Sequence, residues 1–271
     1  MAFERNLPLT RRRRTIYIKL SKVSLHKHNE IFKSARREIL ETVAIIPARG
    51  GSSRIPNKNI KPFAGKPIIS YSIEAAKLSG IFDTIIVSTD SETIAKTARD
   101  WGAEVPFMRP PELSDDYTPT APVIIHALQW LADNGKPATY ACCIYATAPF
   151  VRPEFIKQGY DTLVRNKVSS VFSVTSFPFP IFRALRITDK GNLEMFWPEY
   201  ELRRSQDLPD AYHDAGQFYW LKVESFLKNK RLYSSDAMPV RLPCYLVHDI
   251  DTMEDWDTAE RMLRALQMKN Q

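Results

Sequence analysis

The sequence of 271 residues contains only three cysteines, Cys142, Cys143 and Cys244, and none of them forms a CxxC pair. A sparse, odd set of this kind argues against a disulfide framework and against a zinc site. It favours a reducing, cytoplasmic compartment. Cys142 and Cys143 are neighbours in an apolar run, so in a strand their side chains point to opposite faces. We expect both to be packed inside the protein.

Long hydrophobic runs are also absent, since none approaches the roughly 20 residues that a membrane-spanning helix needs. We therefore expect a soluble protein without a membrane partner. Because 44% of the residues are hydrophobic, the chain can bury the core of one large domain, or of one domain with a sub-domain. No internal repeat appears in the sequence.

Acidic residues are scarce in one part of the chain only. Residues 1–40 contain eleven Lys and Arg against three Glu, a net charge of +8, whereas the whole chain carries +7, so the remainder is at −1. We expect a flexible N-terminal extension over 1–40 and a globular domain over 41–271. The extension, with four arginines at 11–14, is open to three interpretations: an arm that contacts RNA or lipid, a targeting segment, or a start codon placed too far upstream. We favour an extension without a role in the core function, and hence no nucleic-acid partner.

Two familiar phosphate-binding loops, GxxxxGK[ST] and GxGxxG, are missing. The stretch "VAIIPARGGSSRIPNKNI" at 43–60 instead joins a continuous apolar run, typical of a buried parallel strand, to a charged loop. Open α/β sheets bind ligands beyond the carboxyl ends of their strands, so the sequence predicts a polyphosphate site; a solvated surface turn is the alternative. The residues suited to an anion are Arg49, Arg54 and Lys58 by charge, and Gly50 and Gly51 by close backbone approach.

Short apolar runs alternate with helical patterns from residue 42 onward. This order predicts the α/β class, with a doubly wound, mostly parallel sheet of Rossmann-like type. Asp90 and Ser91 are expected to cap the second helix. The predicted strands lie at 43–46, 83–89, 140–147, 170–175, 217–222 and 240–247, and the predicted helices at about 67–79, 91–103, 123–135, 153–165 and 254–267.

Residues 177–212 interrupt this regular order and are called the insertion below. The segment is rich in proline, aromatic and charged residues, and "IFRALRI" within it alternates as a strand exposed on one face does. We expect a small β-rich insertion that forms a dimer surface or a substrate lid.

A second chemical element, "YLVHDIDTMEDW", places Asp249 and Asp251 just after an apolar run that we interpret as a strand. Two residues apart in an extended chain, their carboxylates lie on the same side. Mg²⁺ takes one or two carboxylates together with substrate phosphates, so we predict that this pair binds Mg²⁺. A pair of helix caps is the alternative. We assign no role in the site to His248 or His126.

These parts together resemble the family of CMP-sialic acid synthetases, the cytidylyltransferases that activate nine-carbon acidic sugars. The resemblance covers about residues 42–268 and is carried by "IPARGGSSRIPNKNIKPFAGKPII", "VSTDSETIAKTARDWGAEVPFMRPPELSDD", "YATAPFV" and "HDIDTMEDW". "RIPNKNIKPFAGKP", "YATAPF" and "DAGQFYW" resemble most the branch specific for pseudaminic acid. The resemblance implies a nucleotidyltransferase, active as a homodimer, that converts CTP and the acidic sugar into a CMP-sugar and pyrophosphate.

The resemblance also implies roles for individual residues. Arg49 and Lys58 match triphosphate contacts and, with Asp251, are the expected catalytic residues. Asn59 matches a ribose contact, Arg109 and Thr120 match positions that read cytosine, and Asp249 and Asp251 match the metal-binding pair. The expected CTP-binding residues are Ala48, Arg49, Gly50, Gly51, Ser52, Lys58, Asn59, Arg109 and Thr120. For the sugar, Arg203 or Arg204 is the expected carboxylate partner, and Gln217 is a further expected contact.

Two departures from the family pattern affect these expectations. Ala146 stands where sialic acid synthetases usually have a sugar-contacting glutamine, which argues against plain N-acetylneuraminate. Ser53 stands where a lysine is common, so Arg54 is expected to compensate for the missing charge. N-acetylneuraminate and legionaminate remain alternatives as sugars, and the eight-carbon acid Kdo is disfavoured. A non-catalytic nucleotide-binding regulator is the alternative from another class.

Overall fold

The structure is a computed structural model that describes residues 40–52 and 54–269. The predicted extension, apart from Leu40, and Ser53 lie outside the described residues. The strands are β1 (Leu40–Pro47), β2 (Pro62–Phe63), β3 (Lys66–Pro67), β4 (Thr84–Ser88), β5 (Ala138–Ile144), β6 (Ser170–Ser176), β7 (Leu185–Ile187), β8 (Leu193–Met195), β9 (Tyr212–Lys222) and β10 (Met238–Arg241). The helices are α1 (Ile68–Ser79), α2 (Glu92–Asp100), α3 (Thr120–Asp133), α4 (Pro153–Asn166), α5 (Val223–Asn229) and α6 (Met253–Lys269).

The described residues form a six-stranded sheet in the order β10-β6-β9-β5-β1-β4. β1 pairs in parallel with β4 and with β5, and β10 pairs in parallel with β6. β9 lies inside the sheet and is antiparallel to both of its neighbours, β5 and β6. The predicted α/β class with a mostly parallel sheet is confirmed, and the antiparallel direction of β9 is the feature that the sequence pattern did not predict.

Helices cover both faces of the sheet, which explains the continuous apolar runs of its strands. On one face, Ala44 and Ile46 of β1 pack in a cluster with α1, α2 and α4. On the other face, Val43 and Ile45 pack with α3 and α5. Cys142 joins the first cluster and its neighbour Cys143 the second, both as buried free thiols. Their predicted packing is confirmed.

The helix ends follow from local sequence. α1 ends where Gly80 adopts a left-handed conformation with φ 65°, which a residue without a Cβ does at little cost. α4 begins at Pro153, a position where the missing N–H of proline has no partner to lose. No helix in the described part of the chain is both long and apolar enough to cross a bilayer.

Two predicted strands are wrong in extent. The run at 240–247 is a strand only through Arg241, because Pro243 opens a 3₁₀ turn over Cys244–Leu246. The metal-pair segment therefore follows a turn rather than a strand. In the insertion, "IFRALRI" begins as a 3₁₀ turn over Ile181–Arg183, and only β7 is extended. All three residues of β7 are exposed, so its alternation does not mark a buried face.

A third hydrophobic cluster joins the C-terminal helix to the segment after β1. Trp256 and Ala259 of α6 pack there with Ile55, Phe63 and Ile250. The ring of Trp256 meets that of Phe63 edge-on, with centroids 5.1 Å apart. This cluster brings two segments that are distant in sequence to the same place beside the sheet.

Candidate active site

A cavity of about 410 Å³ opens beyond the carboxyl ends of β1 and β5. Its volume lies in the range of small-molecule sites. Its position agrees with the general rule for open α/β sheets. Seven of the nine predicted CTP-binding residues line this cavity: Arg49, Gly51, Ser52, Lys58, Asn59, Arg109 and Thr120.

The cation loop, residues 49–59, is held in place by contacts that leave its charged groups at the cavity. Ile55, in the middle of the loop, is fully buried in the third cluster. The side chain of Asn59 donates to the carbonyl of Arg49 at 2.9 Å, which ties the two ends of the loop together. The side chain of Arg49 donates to the Asp115 carbonyl at 2.7 Å and pairs with Asp116.

Asp251 lies next to the cation loop, as the sequence predicted for a metal site beside a phosphate loop. Its carboxylate contacts Nη1 of Arg54 at 2.7 Å and Nζ of Lys58 at 3.3 Å. Arg54 and Lys58 both line the cavity. Asp251 is not among the residues that line the cavity, so these two cations connect it to the cavity wall.

The segment that carries Asp251 is fixed at both ends. Ile250 is 2% exposed and anchors the chain in the third cluster, whereas Asp249 is exposed and Asp251 is half-buried. Asp255 accepts hydrogen bonds from the amides of Asp251 and Thr252, and its own amide donates to the Thr252 hydroxyl. This is a capping-box arrangement at the start of α6. The Thr252 hydroxyl also donates to the Asp255 carboxylate at 2.8 Å. This hydrogen bond first, and then those from the two amides, lower the pKa of Asp255.

Arg109 is the buried cation of the cavity, with 5% of its surface exposed. Its guanidinium donates to the carbonyls of Ser88 and Leu113, and its amide donates to Thr89 at 2.7 Å. Burial lowers the pKa of Arg109, although the nearby Asp90 opposes this effect. Nε of Arg109 has no partner among the described residues. A buried donor of this kind favours a ligand that brings an acceptor.

Two residues of the predicted loop do not face the cavity. Ala48 is 1% exposed, and its amide donates to the Ser88 carbonyl at 2.9 Å. The amide of Gly50 donates to Oδ1 of Asp90 at 2.8 Å, so this N–H is directed away from a ligand. A Cβ on Gly50 would lie 3.0 Å from that of Ser91, which explains the glycine by close packing. The predicted caps are corrected accordingly: Ser91 alone caps α2, and Asp90 holds the cation loop.

Sequence reasoning missed several residues of the cavity wall. Tyr145 and Thr147 follow β5, and only their place at a strand's carboxyl end could have indicated them. Thr118 is held in the turn that Asp115 closes by accepting its amide and hydroxyl, and these hydrogen bonds lower the pKa of Asp115. The other unpredicted lining residues are Pro47, Asp116, Tyr117 and Val123.

The three predicted sugar-binding residues do not line the cavity. Arg204 pairs with Asp207, and Arg203 lies over the ring of Tyr200 at 5.8 Å, both within the insertion. Gln217 is 4% exposed in β9, and its amide group donates to the Leu246 carbonyl at 2.6 Å. The structure thus gives Gln217 a contact that supports the segment leading to Asp251, in place of the predicted ligand contact.

Comparison with known proteins agrees with this geometry. A family model described as cytidylyltransferase matches residues 43–268. The chain is 42% identical over 226 residues to pseudaminic acid cytidylyltransferase from Campylobacter jejuni, an alignment that covers 83% of this chain and 97% of that protein. It is 32% identical to CMP-N,N'-diacetyllegionaminic acid synthase from Legionella pneumophila, over 84% of this chain and 98% of that protein.

A solved structure shares the fold at low sequence identity. The structure of CMP:2-keto-3-deoxy-manno-octonic acid synthetase complexed with CTP matches with a TM-score of 0.62 and 15% identity, over 83% of this chain and 99% of that chain. The family model and the relatives confirm the resemblance that the sequence motifs indicated. The chain belongs to the cytidylyltransferase family.

Proposed function

We propose that this chain transfers CMP from CTP to pseudaminic acid and releases pyrophosphate. The anomeric hydroxyl of the sugar attacks the α-phosphorus, a new P–O bond forms, and the bond to the β-phosphate oxygen breaks. Transfer at phosphorus depends on positioning and on stabilisation of negative charge. The relative that shares 42% of its sequence with this chain supports pseudaminic acid as the sugar.

The observation that carries the proposal is the convergence of four cationic side chains on one cavity. Arg49, Arg54, Lys58 and Arg109 all line it. Two carboxylates are paired with these cations. Asp116 pairs with Arg49, and Asp251 pairs with Arg54 and Lys58. A triphosphate would displace these carboxylates from the cations and receive their charge-assisted hydrogen bonds. The same cations would then stabilise the departing pyrophosphate.

Arg109 and Thr120 are proposed to bind the base. Both lie on the cavity wall, and the buried guanidinium of Arg109 is fixed by the carbonyls of Ser88 and Leu113. A fixed, desolvated donor beside a polar hydroxyl suits the acceptor and donor edges of cytosine. Asn59, also on the wall, is the proposed ribose contact.

Asp249 and Asp251 are proposed to hold Mg²⁺ together with the phosphates of CTP. The donor set fits, since both groups are carboxylates and neither is buried: Asp249 is exposed and Asp251 is half-buried. No group of three or more His, Cys, Asp or Glu among residues 40–52 and 54–269 is arranged to hold a metal. The protein therefore supplies the two carboxylates, and the substrate completes the set. Mg²⁺ in this place would lower the pKa of the attacking hydroxyl and neutralise phosphate charge.

Arg203 and Arg204 remain the proposed partners of the sugar carboxylate, because a guanidinium binds a carboxylate through two hydrogen bonds. They lie in the insertion, where several apolar side chains are also exposed: Phe179, Leu185, Ile187, Leu193, Phe196 and Leu202. We propose that a second copy of the chain covers these side chains in a homodimer.

The free thiols support a reducing, cytoplasmic compartment.

The test is pyrophosphate release with CTP and Mg²⁺ against pseudaminic acid, legionaminic acid, N-acetylneuraminic acid and Kdo. Release with pseudaminic acid alone is the expected result. Release with another of these sugars would change the substrate and leave the nucleotide site as proposed. Tight CTP binding by the folded protein without release from any of them would favour the non-catalytic regulator.

A further inference from the structure

The loop of residues 109–120 connects the proposed base contacts to the cation loop. Arg109 and Thr120, at its two ends, both line the cavity. In its middle, the carbonyl of Asp115 accepts a hydrogen bond from Arg49 of the cation loop at 2.7 Å. The 109–120 loop therefore leads from one base contact to the phosphate contacts and returns to the other base contact.

Tyr117 lies in the returning half of this loop, in a tight turn. Oδ1 of Asp115 accepts the amides of Tyr117 and Thr118 at 3.0 and 2.6 Å, and the Thr118 hydroxyl at 2.7 Å. Such a turn fixes the backbone of the residues that it encloses. A triphosphate that displaces Asp116 from its cation leaves the turn in place, because Asp115 closes it.

Two of the described residues that line the cavity are aromatic, and they differ in their contacts. Tyr145 packs its ring on that of Tyr219, with centroids 5.3 Å apart, and its hydroxyl lies 3.1 Å from Thr120 Oγ1. Tyr117, in contrast, is 91% exposed. Its ring is therefore left uncovered by the protein at the wall of a nucleotide-sized cavity.

We propose that the ring of Tyr117 stacks on the face of the cytosine base whose edge Arg109 and Thr120 bind. A base presents its hydrogen-bonding groups at its edge and a flat π surface on each face, so stacking leaves the edge contacts free. An aromatic ring on a base contributes about tenfold or more to affinity. The inference rests on the proposed function, in which the cavity binds CTP.

Three substitutions at this position separate the ring from the rest of the turn. Tyr117→Ala removes the ring, Tyr117→Phe removes the hydroxyl alone, and Tyr117→Trp enlarges the stacking face. The backbone amide that Asp115 accepts remains in all three. Because the side chain is exposed, the thermal midpoint of each variant should stay within about 2 °C of the native value.

The measurement is calorimetric binding of CTP and of inorganic tripolyphosphate to the full chain and to each variant, with Mg²⁺ present. Tripolyphosphate carries the phosphate charges without a base. We expect Tyr117→Ala to weaken CTP binding about tenfold and to bind tripolyphosphate within about twofold of the native protein. The conservative change Tyr117→Phe should restore the CTP affinity that the alanine variant loses.

Tyr117→Trp gives a direct signal of stacking. CTP should quench the fluorescence of the added indole, measured as the difference from the same titration of the native chain and its five tryptophans. Tripolyphosphate should leave this difference signal unchanged.

Three outcomes would overturn the inference alone: native CTP affinity in Tyr117→Ala, an equal loss for CTP and tripolyphosphate, or no quenching specific to CTP. An equal loss would show that the side chain supports the turn and its contact with Arg49 instead of the base. A native protein that binds tripolyphosphate but not CTP would overturn the proposed function as well.

Discussion

The cation loop and the insertion are both irregular segments between strands, yet they follow opposite rules. The loop places charged side chains at a cavity and anchors itself by buried or hydrogen-bonded neighbours, such as Ile55 and Asn59. The insertion exposes apolar side chains, among them Ile187 and Leu193, which are 74% and 69% exposed. A polar group fixed by a buried neighbour is suited to chemistry, whereas uncovered apolar surface is suited to association.

The largest expected effect comes from the charge beside the cation loop. Asp251→Asn should reduce turnover at least about 100-fold, because it removes a proposed metal ligand where the α-phosphate reacts. Pyrophosphate release at saturating Mg²⁺ and CTP measures this effect. The thermal midpoint should change little, since partly exposed ion pairs contribute about 0–1 kcal/mol.

The control for this variant is Asp257→Asn, an exposed carboxylate on α6. Its turnover should equal that of the native protein. If Asp251→Asn retained near-native turnover, the assignment of Asp251 to the metal would be wrong, and its role would be limited to holding Arg54 and Lys58.

The next effect concerns the support of the cation loop. Trp256→Ala should lower the free energy of unfolding by about 3–5 kcal/mol, because a large buried side chain leaves a cavity. Trp256 is 2% exposed and contacts the cluster that holds Ile55 and Ile250. Denaturant unfolding measures the loss. Met268→Ala, a change at a 76% exposed residue of the same helix, should be neutral, and an equal loss there would show that the cluster is not the cause.

A smaller effect is expected in the insertion, where only association should respond. Ile187 and Leu193 are cross-strand partners in the β7–β8 hairpin. The double change Ile187→Asp and Leu193→Asp should weaken self-association at least tenfold while the thermal midpoint of the chain stays within about 2 °C, because neither side chain is buried. Light scattering over a concentration series measures the dimer constant. The control is Leu78→Asp, which is 76% exposed on α1 outside the insertion; association lost equally there would point to a different contact surface.

The smallest effect is expected at the N-terminus. Every residue that lines the cavity lies between Pro47 and Thr147. A chain lacking residues 1–38 should keep kcat and KM within about twofold in the pyrophosphate assay. Loss of turnover in that folded, shortened chain would assign the basic extension a part in the reaction.

The sequence predicted the strands that are uninterrupted apolar runs and the site residues that carry charge. The strands of the parallel part were visible because both faces of the sheet are covered, so their side chains are apolar without interruption. The direction of β9 was not visible, because a strand buried on both faces has the same composition whichever way it runs. The apolar run before Asp249 predicts a strand by its composition, but Pro243 turns the chain there.

The candidate site was predictable where charge marks it and was missed where neutral groups form it. The cation loop and Asp251 stand out as charged residues at element ends, and the structure brings them together. Tyr145 and Thr147 gave no such signal, because they are neutral residues that reach the cavity wall only through the fold. Gln217 resembles a ligand residue by type, but burial decides its contact.

The antiparallel course of β9 has a consequence for how the family can vary. β6 and β9 are adjacent and antiparallel, and two residues are enough to join such strands. The sheet itself therefore does not require a connection as long as residues 177–211. This connection can change in length or in charge without altering the register of the strands that hold the nucleotide cavity. A change of sugar or of partner surface can therefore evolve independently of the triphosphate chemistry.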